Sequence, residues 1–166
     1  MEKRLIITIS LGNRPWFNKI EHFYKMYSKK TNSDFIVINT DYKDDKQSRI
    51  RKFDIVNYLD KYDRILFLDD TRIINYNTPD IFNLIKPEYL GVVCEKLPYL
   101  NKYQNLINSL NYYKINYDKN HITNKNYIWF NSGVILFSKH HKQLFEKPTN
   151  IAIIKIDSYI DQAVFN

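Results

Sequence analysis

The stretch Tyr62-Asp63-Arg64-Ile65-Leu66-Phe67-Leu68-Asp69-Asp70-Thr71 decides how this chain is read. Its apolar centre, Arg64 to Leu68, predicts a strand of a sheet with a core, because a short continuous apolar run bounded by polar residues suits burial. In an open parallel sheet, ligands bind beyond the carboxyl ends of the strands, which is where Asp69-Asp70-Thr71 stands. Two adjacent carboxylates and a hydroxyl offer hard oxygen ligands of the kind that Mg2+ or Mn2+ takes while bridging to phosphate oxygens. A strand-to-turn junction, in which aspartates accept from backbone amides, accounts for the same tripeptide without any ligand. The tripeptide alone does not choose between them.

Upstream, Arg4 to Ser10 is continuous and β-branched enough to be a first strand buried on both faces. Leu11 to Pro15 is a loop, and Pro15 opens a helix on which Trp16, Ile20, Phe23, Tyr24 and Tyr27 recur along one face, a stripe read as core packing. Phe35 to Asn39 predicts a second strand, Tyr42 to Gln47 a loop, and Ser48 to Asp60 a helix with Ile50, Phe53, Val56, Asn57 and Leu59 near one side. Strand, helix, strand, helix, strand with short connections predicts a Rossmann-like, mainly parallel α/β sheet flanked by helices. Downstream, Pro79 to Ile85 reads as a short helix, Leu90 to Cys94 as a fourth strand, and Leu100 to about Ile115 as a longer helix. Ile128 to Ser138 reads as a strand region interrupted at Asn131-Ser132-Gly133, where a glycine marks a bulge or a ligand's close approach. A strand over Ile151 to Ile154 is a further candidate.

The 166 residues suit one domain with its own core, and 44% hydrophobic with 26% charged residues is a globular composition. With 3 glycines and 5 prolines there is no flexible linker. The expectation is one unit over 1–166. Heavy use of Asn, Lys, Ile and Tyr is simplest as the mark of an AT-rich coding sequence. Cys94 stands alone, so no intramolecular disulfide can form, and its apolar setting predicts a small core residue. Leu5 to Ile9 is too short for a signal peptide or a membrane span, which makes the cytoplasm the default location. The net charge of +7 suits anionic partners, but the lysines are scattered, as on a solvated surface.

The quoted stretch, followed by Pro79-Asp80-Ile81-Phe82, resembles the metal-motif region of glycosyltransferase family eight, the glycogenin-like and lipopolysaccharide-galactosyltransferase-like enzymes. Phe130-Asn131-Ser132-Gly133-Val134-Ile135-Leu136-Phe137 is similar to a second motif of that family. Asp161-Gln162-Ala163-Val164-Phe165-Asn166 is similar to a third, in the same order. The resemblance implies a GT-A fold and a retaining transfer of a sugar from a nucleotide diphosphate donor, usually a UDP-sugar, to an acceptor hydroxyl, with Mn2+ or Mg2+. It implies that Asp69 lies near the donor ribose and the metal, and that either Asp70, or Thr71 with a water, takes the second ligand's place, or metal binding is weakened. Asn131, Ser132 and Gly133 would line the donor sugar, the glycine leaving room for the ring. Asp161 would orient sugar hydroxyls beside the reacting carbon, and Gln162 would stabilise charge developing there; helix capping is the plainer reading of Asp161. Thr8, Ser10 and Gly12 match the region that holds the base. Arg49 and Lys52 match basic residues that contact the diphosphate, although a helix carrying Arg49, Arg51 and Lys52 is equally a solvated face.

Two departures stand out. Thr71 occupies the place of the second aspartate, a principal metal ligand, and the family's later His-x-x-Gly-x-x-Lys-Pro motif is not found around His22, His121, His140 or His141. The chain is accordingly expected to be a fragment, a minimal variant, or an enzyme completed by another domain or by a second copy. The partners expected are a nucleotide-sugar and a glycan or protein acceptor. A rival reading is a non-catalytic sugar-nucleotide or glycan-binding domain of the same fold. Nucleic-acid binding, which needs a basic groove with stacked aromatics, is not expected, because most aromatics here fall at core-like spacings.

Overall fold

A five-stranded sheet in the order β2-β1-β3-β5-β4 organises the chain. The structure, a computed structural model, describes residues 2–39, 50–95, 107–108, 111 and 129–146. The strands are β1 (Arg4–Ile9), β2 (Asp34–Ile38), β3 (Arg64–Leu68), β4 (Gly91–Glu95) and β5 (Trp129–Ser138). β1 runs parallel to β2, with Ile7 opposite Ile36, and parallel to β3, with Ile7 opposite Phe67. β5 is antiparallel to both β3 and β4. The mixed α/β sheet therefore has a parallel half built as the apolar runs predict and an antiparallel half added beyond β3.

Period-two alternation sends successive strand residues to opposite faces, and both faces are covered. On one face Ile6, Leu66, Leu68 and Leu136 pack against the helix α1 (Pro15–Lys30) through Phe17, Ile20, Tyr24 and Tyr27. On the other, Leu5, Ile7, Ile65, Phe67, Ile135 and Phe137 meet Phe53, Ile55 and Leu59 of a 3-10 helix (Lys52–Asp60) and Phe145 of a second one (Lys139–Phe145). Each fully buried Leu, Ile or Phe contributes roughly 1.5–3 kcal/mol, so this double layer dominates the stability. α1 starts on Pro15, where a missing N–H costs nothing, and ends on Lys29 and Lys30, whose charges suit the carboxyl end of the helix dipole.

Several expectations are corrected. Trp16 is 52% exposed; the buried stripe of α1 begins instead at Phe17. The helix expected over Ser48–Asp60 is α-helical at residues 50–51 and turns 3-10 from Lys52 to Asp60, where the buried residues are Lys52, Phe53, Ile55 and Leu59, while Asn57 is exposed. Tighter winding changes which positions share a face. Cys94 is exposed and not in the core, because β4 pairs only with β5 among the described strands. The helix near Pro79–Ile85 is confined to α2 (Ile81–Leu84), capped by Asp80, which accepts from the Phe82 N–H at 3.0 Å. The loop at 42–47, most of the helix at 100–115 and the strand at 151–154 lie outside the described residues.

Interruption at Asn131-Ser132-Gly133 is observed. Val92 pairs with Ile135 but the next residue, Val93, pairs with Asn131, so the register jumps and β5 bulges there. The bulge lies beside the carboxyl end of β3, where Leu68 pairs with Val134 and the Asp69 N–H donates to the Gly133 carbonyl at 2.9 Å.

Candidate functional site

The carboxyl ends of β1 and β3 and the bulge of β5 bring Asp69, Asp70, Lys52, Asn131, Ser132 and Gly133 together. Asp69 and Asp70 do not act as a pair. Asp69 Oδ1 lies 3.0 Å from Lys52 Nζ, on the face covered by the 3-10 helix. Asp70 Oδ2 lies 3.3 Å from Arg14 Nε, at the start of α1 on the opposite face. Consecutive residues leaving a strand point to opposite sides, and each carboxylate is thereby delivered to a different cation.

Lys52 is only 6% exposed, a burial that a charged side chain tolerates when paired. Besides Asp69, its ammonium donates to the Ser132 carbonyl at 3.3 Å and to Ser132 Oγ at 3.4 Å. It also lies 5.1 Å from the centre of the Phe67 ring, within cation–π reach. Lys52 thus fastens the 3-10 helix to both β3 and the β5 bulge.

Asn131 and Gly133 are joined by a different set of contacts. Asn131 Oδ1 accepts from the Gly133 N–H at 2.8 Å and from Arg72 Nη2 at 2.9 Å. A Cβ on Gly133 would lie 2.6 Å from Asp69 Oδ2, 2.7 Å from Asn131 Oδ1 and 2.9 Å from Arg72 Nη2. The room left by this glycine is therefore occupied by three polar side chains of the protein itself. Thr71, which follows the carboxylates, is exposed.

The turn from Asp69 to Arg72 is pinned from below. The Arg72 N–H donates to the Asp69 carbonyl at 3.0 Å, and the buried Tyr24 hydroxyl lies 2.8 Å from the Asp69 carbonyl and 2.6 Å from that of Arg72. Burial first, then the charges of Asp70 and Asp69, push the Tyr24 phenol well above its ordinary range. It stays protonated and remains a donor.

At the end of β1, Thr8 is fully buried, and its hydroxyl meets no hydrogen-bond partner among the described residues. Ser10 is also buried, its N–H donating to the Ile38 carbonyl at 2.9 Å. Gly12 has φ 74°, a left-handed conformation that favours glycine, and lets the loop turn so that Arg14 Nε can reach the Leu11 carbonyl at 3.1 Å. Arg49, Asp161 and Gln162 lie outside the described residues.

Sequence reasoning passed over Arg14, Arg72 and Tyr24. Arg72 could have been noticed, because it directly follows Thr71, the position where a carboxylate was expected. Arg14 carried a weaker signal as a loop cation after a first strand. Tyr24 carried none beyond its helical spacing.

The described residues do not fit a divalent cation. Both carboxylates already face a protein cation, Thr71 offers a neutral oxygen, and no cluster of three or more metal-ligating side chains is found among the described residues. Among the described residues, three cations, Lys52, Arg14 and Arg72, stand around the two carboxylates Asp69 and Asp70. Such a balance suits an anion.

No protein-family model matches the sequence, and no curated protein matches it. Solved structures do. A glycosyltransferase involved in the glycosylation of the major capsid of PBCV-1 superposes with a TM-score of 0.56 at 13% identity, over 86% of this chain. This chain spans 63% of that protein's length. A197 from STIV gives a TM-score of 0.44 at 14% identity, over 98% of this chain and 78% of that one. The first of these likenesses shows a shared fold. No helix among the described residues is long and apolar enough to cross a membrane.

Proposed function

We propose that this chain carries the donor site of a GT-A-type glycosyltransferase, which moves a sugar from a nucleotide diphosphate, a UDP-sugar, to an acceptor hydroxyl on a glycan or protein. The observation that carries the reading is the convergence of Lys52, Arg14, Arg72, Asn131 and Ser132 at the carboxyl ends of β1 and β3, on a fold shared with a glycosyltransferase. That place in an α/β sheet is where ligands bind. The motif resemblance supports Lys52, Asn131 and Ser132 in that site and does not extend to Arg14 or Arg72.

In the transfer, the bond from the anomeric carbon to the phosphate oxygen breaks and the electron pair leaves with UDP. A bond from that carbon to the acceptor oxygen forms, and the acceptor hydroxyl's proton passes to the departing diphosphate oxygen. The protein's part is to hold the diphosphate against positive charge and to hold the acceptor on the face of the sugar from which the diphosphate departs. Asn131 and Ser132 would bond sugar hydroxyls, while Thr8, Ser10 and Gly12 would flank the base. Asp161 and Gln162 belong beside the reacting carbon, and retention of configuration comes with the family resemblance. Mn2+ or Mg2+ at Asp69, Asp70 and Thr71 would have to displace Lys52 and Arg14.

Incubation with a panel of UDP-sugars and acceptor glycans, read as UDP release, tests the reading. Release with one donor, lost in Asp161→Asn and in Lys52→Met, is expected. A second reading, a binding domain without turnover, is favoured by the ion pairs that engage both carboxylates. Calorimetric binding of a UDP-sugar with no UDP released in the presence of any acceptor would select it.

A further inference from the structure

We propose that Arg72 supplies the positive charge that holds the donor diphosphate, and that the diphosphate binds without a divalent cation. This rests on the donor-site reading above and concerns how that site neutralises its ligand.

Three observations carry it. First, Asp69 is committed to Lys52. A metal ion on Asp69 Oδ1 would displace an ammonium 3.0 Å away, and Lys52 is 6% exposed. Taking its carboxylate from a buried ammonium is unfavourable. Asp70 is turned to the other face of the sheet, where Arg14 meets it. The two carboxylates therefore cannot clamp one ion without breaking both contacts.

Second, Arg72 is built to be presented. Its N–H is bound to the Asp69 carbonyl and its carbonyl to the Tyr24 hydroxyl, so the backbone is held at both ends. Its side chain is exposed, and one nitrogen, Nη2, is fixed by Asn131 Oδ1 at 2.9 Å. Gly133 clears the place where the guanidinium lies, because a Cβ there would come within 2.9 Å of Nη2. A planar fork oriented in this way suits a phosphate, which it can meet through two parallel N–H donors.

Third, the residues that follow the carboxylates add no anionic ligand. Thr71 offers a neutral hydroxyl and Arg72 a guanidinium, and both are exposed. A turn of this composition attracts a diphosphate directly and a divalent cation less.

Titration calorimetry of the full chain with UDP and with inorganic pyrophosphate, each in EDTA and in Mn2+, tests this. UDP is expected to bind with the same affinity in both conditions, within about twofold. Arg72→Ala is expected to weaken both ligands about tenfold or more, as loss of a charge-assisted hydrogen bond does, and Arg72→Lys to recover part of the loss. Because Arg72 is exposed, both variants should keep the parent's thermal midpoint. UDP binding that requires Mn2+, or Arg72→Ala that binds UDP as tightly as the parent, overturns the inference and leaves the donor-site reading standing. Absence of UDP and pyrophosphate binding in both conditions overturns the reading and the inference together.

Discussion

At the amino end of β3, Arg64 is 2% exposed and donates to the carbonyls of Phe82 and, at 2.6 Å, Ile85, while at its carboxyl end Lys52, Arg14 and Arg72 stand around Asp69 and Asp70. Both ends gather cations. At the amino end they are turned onto the fold: Arg64 onto two carbonyls, and Arg4 onto Asp80 at 3.0 Å and Asn83 at 2.8 Å, so α2 is tied to β1 and β3. At the carboxyl end Asp69 keeps 30% of its side chain exposed and Asp70 12%, and Arg72 is exposed with one nitrogen on Asn131. Cations that close on backbone carbonyls hold a helix in place; an exposed guanidinium held by one amide is still able to receive an anion.

Arg64→Met should have the largest effect and would break the comparison if it did not. It leaves the Phe82 and Ile85 carbonyls without their donor, at roughly 1–3 kcal/mol for the buried Phe82 bond and less for the half-buried Ile85 bond. We expect urea unfolding to show a loss of about 2–4 kcal/mol. A loss under about 1 kcal/mol would mean that the amino-end cluster does not hold the fold.

Lys52→Met probes the carboxyl end in the same units. Its partner Asp69 keeps access to water, so the expected loss is smaller, about 1–2 kcal/mol. Coupling is the sharper readout. In a double-mutant cycle with Asp69→Asn the two losses should not add, whereas additive losses would count against a direct pair.

Gly133→Ala separates stability from binding. The atoms that its Cβ would meet all belong to side-chain ends, those of Asp69, Asn131 and Arg72, and these can move. A shift in unfolding free energy below about 1 kcal/mol is expected. UDP affinity should nevertheless fall about tenfold, because the displaced groups are those proposed to present the anion site. A variant that unfolds outright but binds normally before doing so would reverse this assignment.

Tyr62→Phe is the smallest change and contrasts with Tyr24 at the other end. The Tyr62 hydroxyl donates to Asp34 Oδ2 at 2.7 Å, tying the start of β3 to the start of β2. Burial, then this bond and the Asp34 charge, raise its phenol from 10.0 to about 12. An unfolded tyrosine ionises near pH 10, so the fold favours the protonated form. Its contribution is complete below pH 10 and is lost as pH rises from 10 to about 12. The phenylalanine variant should cost about 1 kcal/mol at pH 7, and its stability should fall less steeply over the alkaline range. Parallel curves for the two proteins would show that Tyr62 does not titrate there.

Much of the fold was legible because burial leaves a local trace. Arg64 to Leu68 has only one way to hide five consecutive buried residues, within a sheet covered on both faces, and β1 reads likewise. The helix before Asp60 was misread because its 3-10 winding is a backbone choice that an apolar pattern alone does not reveal. Trp16 was assigned to the core because it lies four residues before Ile20, but the helix turns its ring outward. Within the site, Asp69 was legible as a carboxylate just past a strand, and Lys52 and Asn131 through the motif resemblance. Their partners were not.

What the sequence determined by itself is the alternation of apolar runs that makes the parallel strands, the glycine that allows a bulge in β5, and the presence of two carboxylates just past β3. Only the tertiary structure decided what those carboxylates do. Lys52 and Asp69 are joined by the packing of a 3-10 helix against the sheet, Arg14 and Asp70 by the packing of α1 on the other face, and Arg72 and Asn131 by the pairing of β3 with β5. Contacts of this kind depend on which face each residue leaves the strand, and on where a distant segment is laid down. Neither is encoded in the few residues around a motif, so a tripeptide that reads as a metal clamp is divided by the fold between two cations.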